Sequence, residues 1–256
     1  MRLDRHRRLV AFDYFLAVVV LLVLWEILSY CLNESFFPGP LESFITFARE
    51  LGDKLGMNLL VSTARVIASL LVALLPAVLL GMVLGRVERL DRYAAPLIYL
   101  TYPVPKIIFL PVVLTLLGLG DVSKIFLISI IVFFQILVTT RDAARQVNKG
   151  MVDSVISLGA GELQIYRSVI YPACLPKILT SLRISLGTAI AVLFFSETIA
   201  NRGGYGGIGY YVMDAWARLA WDEMFAGIIA MGAMGFILYL ILDWLEKRLC
   251  PWEFLK

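Results

Sequence analysis

The chain has 256 residues, of which 60% are hydrophobic and only 17% are charged, and its mean hydropathy is +0.84. Soluble domains carry about a quarter charged residues, so this deficit indicates a largely apolar surface whose natural solvent is lipid. The net charge of +3 is too small to indicate nucleic acid binding. One histidine and three widely spaced cysteines argue against a histidine-based metal site, a catalytic triad and a disulfide framework.

Apolar stretches of spanning length recur six times along the chain, since a membrane helix needs about 20 mostly apolar residues. The first follows a basic tail that begins at Arg2, and because no small-residue cleavage site ends it, we interpret it as a retained anchor rather than a signal peptide. Pro76 is expected to kink the second span, and prolines and Lys106 interrupt the third. The predicted spans are approximately Tyr14–Leu32, Leu60–Gly85, Ala95–Leu117, Ser123–Thr140, Leu175–Ala200 and Met224–Leu242.

Basic residues between the spans predict the orientation, because cytoplasmic loops are enriched in lysine and arginine. The two termini, the 86–94 loop and the 141–177 segment hold 15 of the 23 lysines and arginines, whereas the 33–59, 118–124 and 201–223 connections hold 5. The sequence therefore predicts an all-α membrane protein with one domain over residues 1–256. Both termini would be cytoplasmic.

The connection between the fourth and fifth spans, residues 141–174, is long and shows helical periodicity. Apolar residues recur at helical spacing on both sides of Gly159-Ala160-Gly161, and Pro172 and Pro176 are expected to end the second helix. The pattern predicts two short helices that are joined by a tight glycine turn at the cytoplasmic surface. Such a projection would contact a cytoplasmic partner, and the alternative is an interfacial helical hairpin without one.

The same segment resembles the EAA loop of bacterial ABC importer permeases. Asp153 stands where that family has Glu, and Ser154 and Val155 replace two alanines, while the glycine and both prolines keep their spacing. The turn Pro38-Gly39-Pro40 and Gly207-Ile208-Gly209 are further similarities to the nitrate/sulfonate/taurine-type branch of this family. The residues to which the resemblance assigns ATPase coupling are Asp153, Ser154, Val155, Gly159, Ala160, Gly161, Tyr166, Pro172 and Pro176.

The resemblance implies a type I ABC importer permease fold with six transmembrane helices and a cytoplasmic coupling helix. It also implies a homodimer in the bacterial inner membrane, which works with two ATPase subunits and an external or periplasmic substrate-binding protein. Transport would be by alternating access. The cargo implied for the branch is a sulfonate, nitrate, taurine or a similar small anion, but related branches carry thiamine-precursor pyrimidines, so the cargo and its charge stay open.

The sequence has no Walker A pattern G-x-x-x-x-G-K-[ST], so ATP and Mg²⁺ are expected to bind to the separate ATPase and not to this chain. No cofactor, metal or catalytic residue is expected here. A membrane-embedded enzyme is a poor alternative because no catalytic cluster is present. A channel or a secondary transporter without an ATPase partner remains as the other interpretation, although the sequence shows no clear pair of inverted repeats.

Ionisable residues within spans are costly and have a functional or paired role by default. Broken backbone at membrane depth is tolerated only where it faces protein or a water-filled cavity, which makes the proline-rich stretch around Lys106 the first candidate for the transport pathway. For Arg65 and Arg183 the simpler alternative is a side chain that reaches the membrane interface, and for Glu26 it is a structural hydrogen bond. The pathway candidates are Tyr102, Pro103, Lys106, Gln135, Ser196 and Glu197. Lys106 would attract an oxyanion, and Glu197 would oppose it.

The glycine-rich run at residues 203–209 contains the pattern G-x-G-x-x-G, which is typical of dinucleotide-binding loops. It follows an apolar span instead of a strand, so we reject that interpretation. The run instead predicts a flexible turn or gate on the external side.

Overall fold

The computed structural model describes residues 2–32, 36–199 and 206–253, with side chains from residue 16 onward, and within these ranges the secondary structure is helical without any strand. Short 3-10 turns lie at Lys106–Phe109 and at Pro251–Glu253. The helices are α1 (Arg2–Leu32), α2 (Pro40–Glu50), α3 (Lys54–Arg86), α4 (Glu88–Thr101), α5 (Leu110–Leu117), α6 (Asp121–Arg145), α7 (Lys149–Ser157), α8 (Glu162–Ile199), α9 (Ile208–Ala217) and α10 (Trp221–Leu249).

Four of these helices, α3, α6, α8 and α10, are long and apolar enough to cross a membrane. A fifth crossing arises if α4 and the 106–117 helix form one span, which is bent by 80° at the break between them. The apolar part of α1, Leu16–Leu32, is a shorter helix by the same test. The third predicted span therefore consists of two half-helices. The first predicted span remains a prediction, because its start at Tyr14 precedes the described side chains. Ala200, the predicted end of the fifth span, lies outside the described residues.

The core of the fold is the contact of α3 with α6 and of α6 with α8. Small residues allow the close approach of α3 and α6: a Cβ added at Gly81 would lie 2.7 Å from the Thr140 Cβ, and one added at Gly85 would overlap the Arg141 carbonyl. Pro76 lies inside α3 without ending it. A second, smaller apolar cluster joins α9 and α10 to the start of α3 at Leu55.

The connection 141–174 is shorter than predicted, because its ends belong to long helices. Residues 141–145 complete α6, and α8 begins at Glu162 and continues to Ile199. The prediction that Pro172 and Pro176 end the helix is wrong. A π-helical turn at Tyr166–Ile170 directly precedes Pro172, and its wider radius gives room to a proline ring that would clash with the carbonyl four residues earlier in a regular α-helix.

Candidate functional site

The break between α4 and α5 forms one wall of a cavity. Pro103 and Pro105 lie in the break, where their missing N–H groups cannot continue the helix. The cavity measures about 320 Å³, and its other wall consists of side chains from α6 and α8. Four predicted pathway residues, Tyr102, Pro103, Lys106 and Gln135, line this cavity together.

Lys106 is held at the end of α4. Its Nζ donates hydrogen bonds to the carbonyl oxygens of Thr101 at 3.1 Å and Tyr102 at 3.2 Å. The same Nζ lies 4.5 Å from the ring centroid of Phe134. No carboxylate among the described residues forms an ion pair with Lys106. Helix-end carbonyls and an aromatic face therefore stabilise this ammonium group without cancelling its charge.

Gln135 connects α6 to α8 at the opposite wall of the cavity. Its Nε2 donates a hydrogen bond of 3.2 Å to the hydroxyl of Thr188. Its Oε1 is buried and has no hydrogen-bond partner within the described part of the chain. The cavity thus combines one cation with an amide, a hydroxyl and aromatic surface, which is suited to a small polar solute.

Ser196 and Glu197 lie outside this cavity, near the C-terminal end of α8. Ser196 Oγ donates to the Leu193 carbonyl at 2.8 Å, and neither side chain is exposed. Glu197 accepts hydrogen bonds from Arg65 at 2.6 Å and from the backbone N–H of Gly209 at 2.9 Å. The structure therefore brings neither residue to the cavity, and Glu197 cannot act against an anion there by direct contact.

The alternative that the Arg65 side chain extends to the membrane interface does not describe this structure. This side chain is buried and bridges three elements, because it bonds to Glu197, to the Gly206 carbonyl at 2.7 Å and to Asp121 at 2.5 and 2.8 Å. Ser62 completes this Arg65–Glu197 cluster with hydrogen bonds of 2.8 and 2.9 Å to the Glu197 carboxylate. A signal in the sequence was available: two opposite charges lie at ends of spans that the orientation rule places on the same side of the membrane.

The described part of the glycine run, residues 206–209, is tightly packed, in contrast to the predicted flexible turn. Gly207 has φ +100°, and a Cβ at this position would overlap the Glu197 carboxylate. The N–H of Gly207 donates to Asn58 and that of Ile208 donates to Ser62, both at 2.8 Å. Side chains of α3 therefore cap the start of α9. Residues 203–205 lie outside the described part of the chain.

The structure also shows the contacts around two other charged residues within the predicted spans, Arg183 and Glu26. Arg183 forms ion pairs with Asp243 at 2.7 Å and with Glu246 at 3.1 Å, which join α8 to α10. Glu26 makes no hydrogen bond to the described residues, whereas the adjacent Trp25 donates one of 3.1 Å to the Pro38 carbonyl. The structural hydrogen bond predicted for Glu26 is therefore not found among the described residues.

The predicted coupling residues lie on α7, on the turn that follows it and on the first turns of α8. Gly159 has φ +82°, so the turn requires glycine at this position, whereas Gly161 has an ordinary φ of −77°. Val152 is buried and anchors α7 to the core, while Asp153 and Ser154 face outward. Leu158 and Leu163 flank the turn and are 85% and 82% exposed, which sequence reasoning did not single out.

Asn148 is a second residue that sequence reasoning missed in this region. Its Oδ1 accepts a hydrogen bond of 2.8 Å from the Gly150 N–H and so caps the N-terminus of α7. The signal was an asparagine directly before the helical pattern. No group of three or more potential metal ligands occurs among the residues that the structure describes.

Residues 77–251 match the model of the family described as binding-protein-dependent transport system inner membrane component. The chain is 33% identical to the taurine transport system permease protein TauC of Escherichia coli, over 92% of this chain and 87% of that protein. It is 28% identical both to the putative aliphatic sulfonates transport permease protein SsuC of Bacillus subtilis (91% and 85% covered) and to the nitrate import permease protein NrtB of Synechocystis (93% and 88% covered).

A solved structure has a similar fold. A chain of the MetNI methionine ABC transporter in an inward-facing conformation superposes with a TM-score of 0.63 at 17% identity, over 76% of this chain and 95% of that chain. At this level of identity the similarity concerns the fold alone.

Proposed function

The chain belongs to the family of binding-protein-dependent transport system inner membrane components, and from this membership we propose that it imports a small anion through the cavity at the break between α4 and α5. The protein is a permease subunit of an ATP-driven importer that depends on a substrate-binding protein. Relatives named for taurine, aliphatic sulfonates and nitrate support a cargo that carries an oxyanion group. The uncompensated charge of Lys106 in the cavity supports the same assignment.

The turn between α7 and α8 is the proposed contact with the ATPase. Leu158 and Leu163 form an exposed apolar tip on either side of this turn, and such exposed apolar surface is typical of a protein interface. The turn leads directly into α8, which continues to the Arg65–Glu197 cluster. The positive φ of Gly159 is the observation that carries this proposal, because it fixes the shape of the tip.

The remaining organisation follows the same reasoning. We propose six spans, formed by α1, α3, the bent α4–α5 pair, α6, α8 and α10, with both termini in the cytoplasm. Two copies of the chain would form the pathway with two ATPase subunits, and an external binding protein would deliver the solute. ATP and Mg²⁺ would bind to the ATPase subunits, so this chain needs no cofactor of its own.

Uptake of labelled taurine by proteoliposomes that contain the permease, its ATPase and its binding protein tests the proposal. Gly159→Trp and Asp153→Lys should abolish ATP-dependent uptake while membrane insertion is retained, because the first changes the turn and the second reverses an exposed charge on α7. Gly159→Ala should be impaired and Gly161→Ala should be nearly normal, since an added Cβ meets no atom at either position and only Gly159 has a positive φ.

Normal ATP-dependent uptake by Gly159→Trp would contradict the coupling role. Uptake by the wild-type chain without ATPase or ATP would instead indicate a channel or a secondary transporter.

A further inference from the structure

The charge at the α4–α5 break is unusual for a membrane-spanning region. Among the described residues that line the cavity, Lys106 is the one lysine, arginine or carboxylate side chain. A second cavity of about 420 Å³ also has Lys106 in its wall and is otherwise lined almost entirely by apolar side chains. Lys106 therefore lies between the two cavities, in a region where an unpaired cation is costly.

The hydrogen bonds of Lys106 to the protein compensate only part of its positive charge. Its two hydrogen bonds reach the last carbonyls of α4, where a helix end carries the equivalent of about half a negative charge. An ammonium group has three N–H donors, so one donor remains after these two bonds. The site keeps a net positive charge and a free donor, which together favour an anion in the cavity.

The opposite wall supplies a second donor. Thr188 Oγ1 accepts the hydrogen bond from Gln135, and the Thr188 hydroxyl donates no hydrogen bond to the described residues. The cavity volume of about 320 Å³ lies in the range of small-molecule sites. Glu197, the one carboxylate among the predicted pathway residues, bonds to Arg65 and Ser62 instead.

We propose that Lys106 and Thr188 form an anion-binding site within the permease, which holds the negatively charged group of the solute during transport. The inference rests on the proposed function, since it assigns chemistry to the same cavity. Its consequence is that the permease itself selects for charge, in addition to any selection by the external binding protein. The ligand class is a small solute with one oxyanion group, such as a sulfonate or nitrate.

A thiol placed in the cavity wall measures the charge of the site without any transport step. Ile131 lines the cavity but makes no polar contact in the proposed site, so Ile131→Cys is a suitable reporter in a background where the exposed Cys31 is replaced by Ser. The reaction rates of an anionic and a cationic methanethiosulfonate reagent are compared in the purified permease. Each rate is divided by the rate of the same reagent with a free thiol in solution, which removes the different intrinsic reactivities of the two reagents. The ratio of the two corrected rates then cancels the thiolate fraction.

We expect the anionic reagent to be favoured about tenfold, because a unit charge at short range in a partly apolar cavity acts oppositely on the two reagents. The preference should disappear in Lys106→Gln, which keeps N–H donors for the α4 carbonyls, and in Lys106→Met, whereas Lys106→Arg should retain it. Arg92→Met is the matched control, because Arg92 is an exposed cation on the neighbouring half-helix α4 and does not line the cavity.

The outcomes separate this inference from the proposed function. Equal reaction of both reagents, or the same ratio in the wild type and in Lys106→Gln, would overturn the anion site and leave the pathway intact. Absence of reaction with either reagent would overturn the pathway itself. If Lys106→Met does not fold, Lys106→Gln and Lys106→Arg still decide the question, since they differ in charge and both retain donors.

Transport with taurine as the probe provides the second measurement. Lys106→Gln should lower the maximal uptake rate about tenfold at saturating binding protein, while ATP hydrolysis that depends on the binding protein persists. Lys106→Arg should keep most of the uptake. Unchanged uptake by Lys106→Gln would remove Lys106 from the pathway.

Discussion

At the scale of single residues, the Arg65–Glu197 cluster shows how a membrane protein can hold charge without exposing it. Glu197 is completely buried, and Arg65, Ser62 and the Gly209 N–H saturate its oxygens. Asp121, by contrast, keeps 63% of its side chain exposed, so the buried Arg65 guanidinium pairs with one buried and one exposed carboxylate. The cluster fixes three helix ends relative to one another.

Removal of one member of this ion pair should be strongly destabilising. Arg65→Met leaves the Glu197 carboxylate buried without its cation, and we expect a loss of about 3 kcal/mol in the free energy of unfolding. The double variant Arg65→Met/Glu197→Gln should lose less than the sum of the two single variants. Thermal unfolding in detergent measures all three.

An exposed ion pair is the control for this prediction. Arg218 contacts Asp214 and Glu223 at 3.0 and 2.7 Å but is 49% exposed, so Arg218→Met should cost less than about 1 kcal/mol. Strict additivity of the two substitutions at Arg65 and Glu197 would contradict a direct interaction between them.

At the scale of helices and turns, the projection formed by α7 and the following turn depends on local signals. The helix has only 9 residues, so its capping interactions contribute a large share of its stability. Asn148 caps the first turn, and Val152 supplies the anchor to the core. Neither residue belongs to the part of the segment that resembles the EAA loop most closely.

Loss of the cap should loosen α7 without affecting the spans. Asn148→Ala should destabilise the local fold by about 1 kcal/mol and speed amide hydrogen exchange across α7, whereas Asn148→Asp should preserve both properties. Hydrogen exchange with mass spectrometry resolves this segment. Equal exchange in α7 for the wild type and Asn148→Ala would show that packing of Val152 alone holds the helix.

The same scale shows where sequence reasoning succeeds and where it fails. The glycine turn at Gly159 was predictable, because a break in helical periodicity at glycine is a local signal. The continuation of α8 through Pro172 was not, because the π-turn that accommodates this proline is held by buried side chains such as Val169 and Ile170. Contacts of that kind depend on the positions of other helices.

At the scale of the whole molecule, the four long spans and the membrane class followed from apolar length, which is a property of the chain itself. The cavity was predictable in part: four of the six pathway candidates line it, since prolines and a lysine in a span mark broken backbone. Ser196 and Glu197 were assigned by the cost of polar groups alone, and that cost does not tell a pathway residue from a buried ion pair. The structure distinguishes the two cases, because the packing of α3 against α8 pairs Glu197 with Arg65.

The proposed orientation is testable with single cysteines in a background where Cys31 is replaced by Ser. Leu158→Cys should react with an impermeant thiol reagent only from the cytoplasmic side, and Arg218→Cys only from the outside, because the basic residues predict opposite sides for the two loops. Both side chains are exposed. Labelling of intact cells and of inverted vesicles gives the answer, and reaction of both sites from one side would refute the topology.

The uninterrupted course of α8 has a mechanical consequence. Its 38 residues extend over about 57 Å, and the wide turn at Tyr166–Ile170 lies close to one end. If that turn serves as the fulcrum, the short arm toward Gly161 measures about 9 Å and the long arm to Glu197 about 44 Å, from the rise of an α-helix. A displacement of about 2 Å at the short arm would then move the Arg65–Glu197 cluster by about 10 Å, so the helix has the proportions of a lever with a mechanical ratio of about five.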